Sequence, residues 1–210
     1  MRDITSTAKT ILALAPHPDD LEIGCGGTLA EHVERGDQVH AFVATFGDVG
    51  GHAETRQKEQ EAASNILGIQ QLYWGGFSDT KLPLQAQALM ERLEHILRAI
   101  QPDTVYVNYG EDTHQDHRIL AQVACSVTRY IPNVLFYETP SSINFEPTVY
   151  MDIHDTLSKK IQALEAHASQ VNATHVPLNI LEIALATARF RGVQGKLSCA
   201  EGFIPVRMRL

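Results

Sequence analysis

Paired cysteines, basic clusters, long apolar runs and interdomain linkers are all missing from this 210-residue sequence. The three cysteines, Cys25, Cys125 and Cys199, are odd in number, widely spaced and never arranged as C-x-x-C. That excludes a disulfide framework or a structural zinc ribbon and suits a reducing compartment. Lys and Arg number 17 against 25 Asp and Glu, a formal charge of −8, and no Lys/Arg run creates a local basic stripe. An acidic surface repels phosphate backbones, so nucleic acid and anionic membranes are excluded as partners. The apolar run at residues 11–15 is far shorter than the roughly 20 residues of a membrane span, and residues 1–9 lack a signal-peptide core. The expectation is a cytoplasmic protein with no membrane insertion.

Hydrophobic residues at 44% and charged residues at 20% are the proportions of a globular chain rather than a disordered one. The length suits one domain with a sizeable core. No Pro/Gly/Ser-rich stretch, repeat or compositional shift divides it, so residues 1–210 are expected to form a single domain. Short β-branched runs at 10–14, 38–46, 71–74, 104–108, 134–137 and 148–153 read as strands. Helical stretches alternate with them near 23–34, 54–67, 117–129, 155–169 and 178–191. Gly68 is placed to cap the second of these in the left-handed conformation. The clearest helical face is Leu84, Ala88, Leu89, Leu93, Ile96, Leu97 and Ile100, closed by Pro102. Such β–α alternation predicts an α/β fold: a Rossmann-like three-layer sandwich around a mostly parallel sheet.

Three loops that follow predicted strands concentrate unusual polar residues: 16–20 (Pro-His-Pro-Asp-Asp), 47–52 (Gly-Asp-Val-Gly-Gly-His) and 109–117. In a doubly wound sheet such loops share one edge, where ligands bind at the switch in strand order. His17 and Asp20 are three apart, stiffened by Pro16 and Pro18. His114 and His117 are also three apart, with Asp116 between them. Imidazole and carboxylate are ligands of catalytic zinc, which takes three protein ligands and keeps a position open. Two histidines and one carboxylate meet that count, and Asp19 and His114 are left over for proton transfer and transition-state stabilisation.

The run His17-Pro18-Asp19-Asp20-Leu21-Glu22-Ile23-Gly24-Cys25-Gly26-Gly27, taken with His114-Gln115-Asp116-His117, resembles the LmbE-like or PIG-L family of zinc-dependent deacetylases. Arg56 and Glu59, Gly76-Phe77-Ser78-Asp79, His167-Ala168-Ser169-Gln170 and Ala200-Glu201-Gly202-Phe203 also look like segments of that family. The resemblance implies hydrolysis of the N-acetyl group of an N-acetylglucosamine-containing substrate. It implies one Zn2+ per chain held by His17, Asp20 and His117; Fe2+ or another divalent ion is an acceptable substitute. Asp19 becomes the general base, and His114 the stabiliser of the oxyanion. Asp116 becomes the group that orients His114 and keeps it protonated, and Arg56 and Asp79 become the residues that hold sugar hydroxyls. The resemblance further implies a homo-oligomer, with a hexamer among the forms it allows. An amidase acting on a thiol-sugar conjugate shares this chemistry, and a non-catalytic sugar-binding protein would share the fold.

Other features carry blander readings. Gly24-Cys25-Gly26-Gly27 fails as a dinucleotide fingerprint because Leu29 stands at the third glycine position, so these glycines are expected to let a helix pack closely on the sheet. Cys25 reads as a buried thiol rather than a nucleophile. The 47–52 loop lacks the Asp-x-His and Asn-His partners of a two-metal phosphoesterase.

Overall fold

The computed structural model of the protein describes residues 8–174 and 176–209. Seven strands form one sheet: β1 (Thr10–Ala15), β2 (Gln38–Thr45), β3 (Gln71–Phe77), β4 (Thr104–Asn108), β5 (Asn133–Tyr137), β6 (Val149–Asp152) and β7 (Ala200–Arg207). Six helices accompany them: α1 (Asp20–Glu34), α2 (Ala53–Leu67), α3 (Ala86–Ile100), α4 (Gln115–Val127), α5 (Leu157–Ala166) and α6 (Ile180–Gly195). The strand order is β3-β2-β1-β4-β5-β7-β6. Neighbours from β3 to β5 pair in parallel, whereas β7 runs antiparallel to both β5 and β6. The chain winds outward from β1 in one direction and from β4 in the other. The switch in order falls between β1 and β4, which opens a crevice beyond their carboxyl ends.

Alternation along β1 assigns the two faces. Ile11, Ala13 and Ala15 join the core formed with Leu21, Leu29, Leu67 and Ala163 of α1, α2 and α5. Leu12 and Leu14 join the opposite core, with Leu89, Leu93, Ile96 and Leu120 of α3 and α4. Every residue from Ile11 to Ala15 is fully buried, as a central parallel strand covered on both faces requires. Each large aliphatic side chain so buried contributes roughly 2 kcal/mol.

Local signals set the ends of the elements. Gly68 caps α2 with φ 80°. Asn179 and Glu182 close a reciprocal capping box at the start of α6, which satisfies amides that the first turn leaves free. Gly24 lies where an added Cβ would come 2.0 Å from Tyr137 Cδ2, so α1 sits against the sheet at a distance only glycine permits. Cys25 is fully buried, and burial pushes its thiol well above the ordinary range, the state of an inert core cysteine.

Two expectations are corrected. The apolar face of α3 does not begin at Leu84, because a 3-10 turn covers Leu82–Gln85 and the helix starts at Ala86. That turn buries Leu82 and leaves Leu84 86% exposed. The strand β7 was not expected, because its Ala-Glu-Gly-Phe-Ile-Pro-Val-Arg sequence lacks both an uninterrupted apolar run and clean alternation. It slots between β5 and β6 and makes that end of the sheet antiparallel.

Candidate active site and metal centre

The loops after β1 and β4 meet at the switch point and bring His17, Asp20, His114 and His117 together. Asp20 Oδ2 lies 3.3 Å from His17 Nδ1 and 3.5 Å from His117 Nε2. The ring centroid of His114 is 4.6 Å from that of His17 and 5.0 Å from that of His117. Ligands about 2.0–2.1 Å from a tetrahedral zinc stand roughly 3.4 Å from one another, and each of these two Asp20–histidine distances matches that separation. Nitrogens of His17, His114 and His117 also lie within 4.8 Å of one another, as do ligand atoms of His17, Asp79 and Asp116.

The hydrogen bonds separate these groupings. His117 Nδ1 is 3.0 Å from Asp112 Oδ2. His17 Nε2 is 3.1 Å from Asp79 Oδ1 and 3.2 Å from Asp116 Oδ2. The far nitrogen of each histidine is thus held by carboxylate, and the near one faces Asp20. Metal-binding histidines carry this kind of outer support, which fixes the ring orientation and makes the ligand nitrogen more basic. Asp79 and Asp116 are saturated differently: Asp79 accepts the Val49 amide at 2.9 Å, and Asp116 accepts the Thr80 and Leu82 amides at 2.7 and 3.2 Å.

The electrostatics follow from this crowding. Burial disfavours a charged His17, but its bonds to Asp116, Asp20 and Asp79 outweigh burial and raise it well above the usual imidazole value. Burial likewise opposes charge on His117, and Asp20 and Asp112 reverse the effect. Burial pushes Asp20, Asp79 and Asp112 up, yet the facing imidazoles win in each case: Asp20 and Asp112 end low, and Asp79 falls to about 2. Two imidazolium charges, on His17 and His117, are therefore drawn to a spot where a divalent cation would serve better.

Asp19 stands apart from this grip. It precedes α1 with φ 87°, the left-handed region, and its carboxylate meets Arg56 Nη2 at 3.2 Å. Burial first, then the charge of Asp20, raises its pKa to about 6 against the opposing pull of Arg56. A cleft of about 260 Å³ is lined by His17, Asp19, Val49, Arg56, Asp79 and His114.

The sequence-derived roles of three residues need correction. Asp116 does not orient His114: its carboxylate turns to His17, and only its backbone amide donates to His114 Nδ1, at 3.2 Å. His114 is also not held protonated, because burial and the charges of His17 and His117 lower its pKa. Its Nδ1 is an acceptor, so the neutral ring carries its proton on Nε2. Arg56 is buried and donates to the Gly47 and Pro18 carbonyls at 2.9 and 2.8 Å. Arg56 and Asp79 do line the cleft, but their polar atoms are largely engaged within the protein.

Asp112, Thr139 and Gln60 were not singled out from sequence, and Glu22 and His167 entered there only inside family-like segments, with no role. Thr139 Oγ1 donates to Asp112 Oδ2 at 2.9 Å, which steadies the carboxylate behind His117. Asp112 had one available signal, its position two residues before His114, where it accepts the His114 amide at 2.8 Å. Among the described residues no helix is long and apolar enough to cross a membrane.

Known proteins share this arrangement of chain. The uncharacterized deacetylase YaiS of Escherichia coli is 36% identical over 169 residues, covering 77% of this chain and 91% of that protein. The 4-oxalmesaconate hydratase of Pseudomonas putida is 25% identical over 227 residues, covering 93% of this chain and 84% of that one. Among solved structures, N,N'-diacetylchitobiose deacetylase from Pyrococcus horikoshii superposes with a TM-score of 0.81 at 27% identity, covering 95% of this chain and 84% of the other. Residues 12–128, more than half of the chain, match the family described as PIG-L, GlcNAc-PI de-N-acetylase, and the protein belongs to that family.

Proposed function

We propose that the chain is a single-domain, metal-dependent N-deacetylase that hydrolyses the acetamide of an N-acetylglucosamine-containing substrate. His17, Asp20 and His117 would hold the Zn2+. When bound, such an ion lowers the pKa of water toward about 7 and polarises a carbonyl. Asp19, outside the ligand set and facing the cleft, accepts the proton of the attacking water and returns it to the departing amine. Its pKa of about 6 lies close enough to neutrality for both transfers. His114 offers its Nε2–H to the oxyanion as a neutral donor, its tautomer set by the Asp116 amide. Asp116 and Asp79 orient His17, and Asp112 orients His117. Arg56 keeps Asp19 ionised and in place. The sugar would occupy the cleft beside Arg56 and Asp79.

The observation that carries this reading is the pair of adjacent carboxylates with different duties. Asp20 lies between two imidazole nitrogens, while Asp19 faces the cleft against a single arginine. A sugar-binding module needs the first and has no use for the second. The named relatives that are deacetylases support the acyl chemistry. The hydratase relative supports a second reading, addition of water to an unsaturated acid at the same site. The test is to incubate purified protein with a panel of N-acetylglucosamine derivatives and assay free acetate, beside an unsaturated dicarboxylic acid followed by loss of its ultraviolet absorbance. Acetate release abolished by a chelator and restored by Zn2+ is the expected result. Hydration without any acetate release would transfer the assignment to the second reading.

A further inference from the structure

The peptide unit joining Pro18 to Asp19 is gripped at both polar atoms by one face of α2. Arg56 Nη2 donates to the Pro18 carbonyl at 2.8 Å, and Gln60 Oε1 accepts the Asp19 amide at 3.1 Å. These two side chains are four residues apart and so leave the helix on the same side. Asp19 requires such a grip. A non-glycine residue at φ 87° persists only where its surroundings over-determine it.

Gln60 is fully buried, and its amide has one workable orientation. Nε2 donates to Glu22 Oε1 at 2.7 Å, which turns Oε1 toward Asp19. Behind it, Glu22 of α1 and His167 at the end of α5 are both fully buried, with His167 Nε2 3.4 Å from Glu22 Oε2. Removing a carboxylate from water is strongly unfavourable unless a partner charge and hydrogen bonds compensate it. Three helices thus converge to bury an acid and a base that touch neither the cleft nor the metal ligands. What the pair does touch is the one side chain that holds the Asp19 amide.

We propose that Gln60 is a positioning residue for the general base: it fixes the left-handed peptide of Asp19, with Glu22 locking the Gln60 amide and His167 balancing Glu22. This inference rests on the reading of Asp19 as the base. The side chain of Asp19 reaches the cleft because its backbone is turned away from the ordinary helical entry, and Gln60 supplies the acceptor that keeps it turned.

Three variants test this, each assayed for acetate release and metal content and each crystallised. Gln60→Leu keeps the volume and removes the acceptor. Its kcat is expected to fall about 10- to 100-fold, the usual consequence of a misplaced reacting group, with KM and zinc content unchanged and with Asp19 φ leaving the left-handed region. Gln60→Glu sets a carboxylate against Glu22 and is also expected to lose kcat. The double variant Glu22→Gln/Gln60→Glu exchanges donor and acceptor, so that residue 60 again accepts from Asp19 and is itself held by residue 22. It is expected to recover kcat toward wild type. The proposal is overturned by a folded, zinc-loaded Gln60→Leu protein with wild-type kcat, by Asp19 keeping φ near 87° in that variant, or by a double variant no better than Gln60→Glu. If the wild type releases no acetate the deacetylase reading fails, and the crystallographic comparison decides the placement of Asp19 by itself.

Discussion

Asp19, as the proposed general base, is where stability and activity are expected to oppose each other. Its folded-state pKa of about 6 stands above the ordinary 3.8, chiefly because it is buried and next because Asp20 is adjacent. A carboxyl group raised in this way contributes stability that is present below its unfolded pKa and lost as pH rises through about 6. Asp19→Asn therefore matches wild type in unfolding free energy in acid and exceeds it near pH 8, by roughly 1–3 kcal/mol at about 1.4 kcal/mol per pKa unit, measurable by urea unfolding at the two pH values. The same variant loses about 10²- to 10⁴-fold in kcat. In the wild type, kcat/KM rises with pH through about 6 as Asp19 ionises, and a pH–rate profile of the variant lacks that limb. Asp112 offers a different separation. Asp112→Asn leaves the cleft intact but weakens the hold on His117, so zinc affinity, measured by competition with a chromophoric chelator, drops about 10- to 100-fold. At the residue scale the sequence was legible where chemistry recurs at short spacing. His17 with Asp20 and His114 with His117 announce themselves three residues apart, and the structure brings them together. Gln60, Glu22 and His167 act through space across 38 to 145 positions, where no local pattern marks a partner, and Asp112 had only its place two residues before His114 to mark it. The partner of Asp116 was misread for the same reason, since the carboxylate that sits beside His114 in sequence reaches His17 in space.

Among the elements, the central strands were readable because burial on both faces demands continuous apolar runs, as in Ile11 to Ala15. The C-terminal end of α2 was readable because glycine at residue 68 has a conformational reason to be there. β7 was not readable: it carries Glu201 inward to meet Lys160 Nζ at 2.6 Å and the amides of Gly27 and Thr28 at 3.0 and 2.7 Å. A charge that belongs in the core of the fold looks, in sequence, like one that belongs in water. Leu84 shows the converse, an apolar residue in phase with α3 that a 3-10 turn rotates outward. Close helix–sheet contact yields a prediction at this scale. Gly24→Ala would put a methyl 2.0 Å from the ring of Tyr137, whose hydroxyl donates to the Leu14 carbonyl at 2.8 Å. The ring must shift, and overpacking of this kind destabilises by about 1–3 kcal/mol, measurable by urea unfolding. An unchanged midpoint would mean that α1 can lift from the sheet.

For the molecule as a whole, the proposed metal site links ion binding to fold stability. Asp20, Asp79, Asp112 and Asp116 converge on two imidazoles, and an added divalent ion relieves that concentration of negative charge. Zinc at a hundredfold excess over its dissociation constant stabilises the native state by about 2.7 kcal/mol. A chelator accordingly lowers the melting temperature as well as abolishing turnover, and a scan with and without zinc at neutral pH reads both. A thermal midpoint indifferent to zinc would count against a preformed site.

The crossing of the chain between β1 and β4 has an outcome for how the protein is put together. Half of the proposed metal grip lies early in the polypeptide and half a hundred residues later, and the exposed turn at Leu84 separates the two. A chain severed there would yield two pieces, each with an incomplete claim on the ion, and only their reunion along β1 and β4 would recreate a place for it.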